Sequence, residues 1–262
     1  MNFLRLIVIA IFSLIGFTIY GIVNEQKFLL SLGHIFSLPL VGIWYGIKRN
    51  WAVESTDYFV YFAFLIGSLA DSVIIIDWGQ KGEFLSISIS LIMNLLLIMI
   101  FRKEGTRIYS ENLQDLPKVL IPVFIIFLFF GYILMPSVPS SIYVVSIFYA
   151  ILEVLLVIHG CFRTVRGRSY LWVIFGIFLV VLKDAIYSFH FFIFNGTKTY
   201  LYAIQYPLNI LSYFMIAIGI AINQEKQETL KKLSIFQQIK KRINVILNFI
   251  NLFDNKTISS LN

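Results

Sequence analysis

The sequence predicts an all-α polytopic membrane protein, a bundle of eight transmembrane helices followed by a basic amphipathic helix. Three observations predict it. Hydrophobic residues make up 59% of the 262 positions and charged residues only 13%, whereas a soluble domain carries roughly 45–50% and 25%. Eight apolar runs are each long enough to cross a hydrocarbon core of about 30 Å. Lysine and arginine then divide unequally between alternate connections, as the positive-inside rule requires.

The runs lie near residues 3–23, 28–47, 58–76, 84–101, 118–134, 141–161, 170–194 and 200–222. The first follows Arg5 and resembles a signal peptide, but it has no small-residue cleavage site before Asn24 and reads as an anchor. The third carries Gly67 and Ser68, small enough for close helix approach, and then Asp71. The fourth contains Asn94, the sixth Glu153, the seventh Lys183 and Asp184, and the eighth Asn209. The N-terminus, the connections after spans two, four and six, and the tail hold seventeen Lys and Arg. The other connections hold only Lys27, Lys81 and Lys198. Both termini are therefore expected in the cytoplasm, with the bundle in the inner (cytoplasmic) membrane. The same distribution explains the net charge of +7 by topology, with no need for a nucleic-acid partner. The lone cysteine, Cys161, excludes an internal disulfide.

Residues 1–222 form the expected transmembrane domain and 223–262 the tail. In the tail Leu233, Phe236, Ile239, Ile243, Ile246, Leu247 and Ile250 recur at helical spacing among Lys231, Lys232, Lys240, Lys241 and Arg242. Such a helix either lies on an anionic leaflet or packs against a partner helix. Short connections make consecutive helices antiparallel neighbours. Halving the bundle after span four puts Asp71 and Asp184 in the third span of each half and Asn94 and Asn209 in the fourth, the pattern of a parallel repeat.

The chemistry is expected at Asp71 and Asp184. A carboxylate in hydrocarbon is costly unless paired, hydrated or neutralised, so it marks a functional position. Each lies about fourteen residues into a run that starts at the basic side, so both reach a depth of about 20 Å. Asn94, Glu153, Lys183 and Asn209 are the expected supporting groups. Neighbouring positions on a helix point about 100° apart, so Lys183 need not pair with Asp184 and can meet Glu153 or Asp71 instead. Glu153 is either that partner or a third acid of the site. His34, His159 and His190 carry no metal-binding spacing, and neither metal nor cofactor is expected. Nucleophile-elbow, phosphate-loop and dinucleotide fingerprints are absent from the sequence, which leaves carboxyl acid–base chemistry.

Three stretches carry a family resemblance: HIFSLPLVGIWY in span two, GSLADSVII in span three and GIFLVVLKDAIYSFHFF in span seven. Together they resemble the YhhN-like lysoplasmalogenases, eight-span membrane proteins. Leu38, Ala70 and Lys183 stand where the family pattern has Lys, Gly and Ser, and Asn94 stands where it has a His. The resemblance implies hydrolysis of the vinyl ether of a lysophospholipid-like substrate to a fatty aldehyde and a glycerophospho-head group. Protonation of the alkene carbon gives an oxocarbenium ion that water captures, so one carboxyl must be protonated and the other ionised. Asp184 is the expected acid and Asp71 the ionised partner, although Lys183 argues for the opposite assignment. Two further classes use the same residues: a small proton-coupled carrier, and a sensory module that signals through its cytoplasmic helix.

Overall fold

The structure, a computed structural model, describes residues 3–75, 80–106 and 116–259, with side chains at all of these except 80, 231, 235 and 238–259. Several tail positions on which the amphipathic pattern rests, Ile239, Lys240, Lys241, Arg242, Ile243, Ile246, Leu247 and Ile250 among them, therefore have side chains outside the described residues. So does Arg107 of the connection after span four. The chain is all-helical, and among the described residues eight helices are long and apolar enough to cross a membrane. This is a multi-pass membrane protein.

The helices are α1 (Phe3–Val23), α2 (Lys27–Lys48), α3 (Ser55–Ile75), α4 (Gln80–Lys103), α5 (Leu116–Phe127), α6 (Tyr143–Cys161), α7 (Arg168–Ser188) and α8 (Thr199–Ser259). Two of them change pitch inside their spans. The α5 span continues through a π-helical segment, Leu128–Leu134, and a 3₁₀ turn, Met135–Ser137; α7 continues through a π turn, Phe189–Ile193. Two compact units divide the chain: Met1–Ala221, which is the bundle, and Ile222–Asn262, which is helical through Ser259.

Ends and crossings follow from particular residues. Asn50 and Trp51 take left-handed backbone angles after α2. The turn closes with the Trp51 N–H donating to Gly46 O at 2.6 Å. Asp57 then accepts the Glu54 N–H at 3.1 Å, which satisfies one of the orphan donors at the start of α3. Where α7 crosses α8 the two backbones come close together. A methyl group on Gly176 would lie 2.7 Å from Ser212 O, and one on Gly219 would lie 2.8 Å from Ser169 O. Only glycine lets the two backbones approach this closely.

Packing follows chain order from α1 to α4, but α4 then lies along α6. The expectation of sequential neighbours gives way there, and α5 is left on the outside against α6. Only 11% of the α5 span is buried, against 33–50% for the spans of α1–α4, α6 and α7. In the bundle α8 is the hub. Tyr206 meets Ser37 of α2 at 2.7 Å, Trp44 of α2 packs edge-on against Phe214 at 4.9 Å, and Asn209 reaches α3.

Two buried ion pairs fasten the ends that carry the basic connections. Arg49 Nε donates to Asp57 Oδ1 at 3.2 Å, where the Tyr45 hydroxyl also donates at 2.6 Å. Arg163 Nη2 lies 2.7 Å from Glu104 Oε2, and neither side chain of that pair touches solvent. Counted only as topology signals in the sequence, Arg49 and Arg163 are also buried structural cations.

Candidate functional site

Polar side chains recur every three or four residues along the inner faces of four helices, and a fifth adds a single aspartate. Asp71 projects from α3; Ser86 and Ser90 from α4; Ser146, Tyr149 and Glu153 from α6; Asp184 and Ser188 from α7; Gln205 and Asn209 from α8. On a helix, i and i+4 share a face, so each set forms a stripe. These stripes converge on one cavity of about 280 Å³. Most of the remaining lining is apolar, including Ile125, Ile126, Phe129 and Phe130 of the α5 span and Phe178 and Leu182 of α7.

Three carboxyls line the cavity, and two of them, Asp71 and Asp184, have distinct hydrogen-bond partners. Asn209 Nδ2 donates to Asp71 Oδ2 at 2.9 Å. Lys183 Nζ donates to Asp184 Oδ1 at 2.7 Å, and the Tyr149 hydroxyl donates to Asp184 Oδ2 at 2.9 Å. The Lys183 ammonium also lies 5.5 Å from the centre of the Tyr213 ring, within cation–π range. One carboxyl is thus held by a cation and a phenol, the other by a neutral amide.

The structure gathers five of the six residues singled out in the sequence. Asp71, Glu153, Lys183, Asp184 and Asn209 all line the cavity. Asn94 does not: it is buried on α4, and its Nδ2 has no hydrogen-bond partner. The halves of the bundle are therefore unlike at these positions, since Asn209 binds a site aspartate and Asn94 is not in the cavity wall. Lys183 pairs with its chain neighbour, a pairing that the 100° offset left open. That offset governs the Cα–Cβ direction, and the four-carbon lysine stem is long enough to bend its ammonium back to the adjacent carboxylate.

Sequence reasoning missed Tyr149, although its spacing of four from Glu153 puts the two on one face of α6. It also missed Ser86 and Ser90 of α4, four residues apart, and Gln205, four residues before Asn209. A search at i±4 around the intramembrane acids finds Tyr149 from Glu153 and Ser188 from Asp184, whereas the α4 serines and Gln205 stand at that spacing only from other polar residues.

The histidines are placed elsewhere. His34 and His190 sandwich the Tyr202 ring, with centroids at 5.9 and 5.6 Å, and the Tyr202 hydroxyl lies 2.9 Å from His34 Nε2. His159 Nδ1 lies 2.8 Å from Leu155 O. Among the described residues no three His, Cys, Asp or Glu side chains are grouped to hold a metal.

The cavity can therefore take an amphiphile, with hydrogen-bonding groups set in a mostly aromatic and aliphatic lining. Two carboxyls in different settings also equip it for proton transfer. The chain matches no protein-family profile, no curated protein and no solved structure.

Proposed function

We propose that this chain is an intramembrane hydrolase that cleaves the vinyl ether of a lysophospholipid, as a YhhN-like lysoplasmalogenase would. The observation that carries the reading is the presence of two unlike carboxyls, Asp71 and Asp184, on the wall of one mostly apolar cavity inside the bundle. A soluble polar substrate needs no apolar wall, and a structural carboxyl needs no cavity.

The assignment of roles reverses the one expected from the sequence. A salt bridge at 2.7 Å to Lys183 is made by the carboxylate form, so Asp184 is the ionised partner. Asp71 faces the neutral Asn209 amide and acts as the acid. In the proposed reaction the Asp71 O–H gives its proton to the alkene carbon remote from the ether oxygen. The resulting oxocarbenium ion is stabilised by the Asp184 carboxylate, which then accepts a proton from the attacking water. The hemiacetal collapses to a fatty aldehyde and the free glycerol hydroxyl, so one water is consumed for each bond broken. Tyr149 and Lys183 keep the Asp184 carboxylate in place through these steps. The basic connections would face the cytoplasm, which orients the bundle in the cytoplasmic membrane.

The test is aldehyde release from a lysoplasmalogen by the purified protein. Asp71→Asn and Asp184→Asn should each lower the rate by at least about 10²-fold, the lower end of what a positioned acid or base contributes. The double variant should be little slower than either single one, because the two groups act as a unit. Wild-type protein inert towards lysoplasmalogens would overturn the reading.

A further inference from the structure

The apolar wall of the cavity reaches the outside of the bundle. Ile125 and Phe178 line the cavity, yet they are 55% and 61% exposed, and Leu182 is also exposed. All three belong to the seam between α5 and α7. The cavity therefore has a mouth on the surface that faces lipid acyl chains, and its edges are side chains of those two helices.

That seam is also where the bundle is least tied together. The α5 span is the least buried of the spans and lies against α6. Its contact with the α7 span is made by the two π-helical segments, where Phe129 packs edge-on against Phe189 at 5.5 Å. π-Helical turns inside α-helices often mark functional positions.

Depth supplies an independent observation. Ile125 lies about nine residues into α5, and Phe178 and Leu182 about ten and fourteen into α7, so the mouth spans depths of about 14–21 Å from the basic ends, from the middle of a ~30 Å core towards its far side. Asp71 and Asp184 each lie about sixteen residues into their helices, about 24 Å from the same ends. From mouth to carboxyls the cavity thus runs from the bilayer centre towards the far leaflet. A lipid of that leaflet has the same order, with its chain end at the centre and its polar linkage further out. The volume of about 280 Å³ falls just below the roughly 300–1,000 Å³ typical of small-molecule cavities, so it suits one chain and not two.

We propose that the α5–α7 seam is a lateral portal through which a single-chain amphiphile passes from the leaflet opposite the basic connections. Its chain lies on Ile125, Phe129 and Phe178, and its polar linkage sits at Asp71 and Asp184. The proposal rests on the lipid-hydrolase reading for the chemistry of the polar end, while the passage itself is readable by binding alone.

The experiment uses the full chain in phosphatidylcholine vesicles and a lysophospholipid with a diazirine at the end of its single chain. After photolysis, cross-links should concentrate on residues 125–130 and 178–182, and unlabelled lysophospholipid should compete them away. Aldehyde release from a lysoplasmalogen, assayed in the same vesicles, separates binding from turnover. Ile125→Trp with Leu182→Trp, filling the mouth, should lower labelling at least tenfold. Leu120→Trp with Phe124→Trp, on the exposed face of α5 away from the cavity, should leave it unchanged. Should the paired tryptophans prevent folding, Phe178→Ala widens the mouth and should raise the labelling rate severalfold. Cross-links spread over all outward helix faces, or indifferent to every mouth substitution, would overturn the portal. Seam labelling without hydrolysis supports the portal and removes the hydrolase; hydrolysis without seam labelling does the reverse.

Discussion

Replacing Lys183 with methionine keeps most of the volume of the side chain and deletes its charge, which isolates the contribution of the Lys183–Asp184 pair. In the wild-type bundle the ammonium sits 2.7 Å from Asp184 Oδ1, with 9% and 14% of the two side chains exposed. Removing one partner of a buried pair leaves an uncompensated charge and typically costs about 3–5 kcal/mol. The remaining donor to Asp184, the Tyr149 hydroxyl at 2.9 Å, is neutral and offsets little of this. Lys183→Met should therefore destabilise the bundle by about 3 kcal/mol or more. Adding Asp184→Asn removes the stranded charge while leaving an amide oxygen for Tyr149, so the double variant should recover all but about 1–1.5 kcal/mol. Reversible unfolding in mixed micelles on raising the mole fraction of dodecyl sulfate, followed for wild type, both single variants and the double, closes the cycle. A Lys183→Met cost below about 1 kcal/mol, or a double variant no more stable than Lys183→Met, would refute the claim that the ammonium holds Asp184 as a carboxylate.

Three further outcomes follow from named contacts. Asn209→Ala removes the donor 2.9 Å from Asp71 and should lower stability by about 1–3 kcal/mol in the same micelle titration, with a measurable fall in aldehyde release. Gly176→Leu forces a side chain against Ser212 O and Ile216. It should destabilise the bundle by at least about 1–3 kcal/mol, whereas Gly131→Leu, in open surroundings, should be tolerated. Arg163→Met deletes the buried ion pair that Arg163 makes with Glu104 at 2.7 Å and should destabilise the bundle by at least about 1 kcal/mol, part of which Glu104→Gln in the same chain should restore.

The spans were legible because hydropathy is local and one-dimensional. The run expected at 118–134 is the span Leu116–Ser137, and the run at 170–194 is Arg168–Ile193. Asp71 and Asp184 stood out for the same reason, since each is an acid in an apolar stretch. Contacts that depend on three-dimensional packing were not legible. Nothing local says that α4 lies along α6, and that contact is what leaves α5 at the surface beside the cavity mouth. The partner of Lys183 was left open because helix geometry fixes where a side chain starts and not where a long flexible one ends. Arg49 and Arg163 looked like solvated topology markers because their partners, Asp57 and Glu104, lie 8 and 59 residues away in the chain. Asn94 and Asn209 looked equivalent by position in the two halves, but one faces the cavity and the other does not.

The central claim, that Asp71 donates the proton that opens a vinyl ether, is tested most directly by hydrolysis of a lysoplasmalogen in heavy water. The released aldehyde is trapped and weighed by mass spectrometry. Wild-type protein should give aldehyde with one deuterium on the carbon next to the carbonyl, and Asp71→Asn should give it at least about 10²-fold more slowly. Aldehyde without that deuterium, or equal rates from the two proteins, would contradict the account.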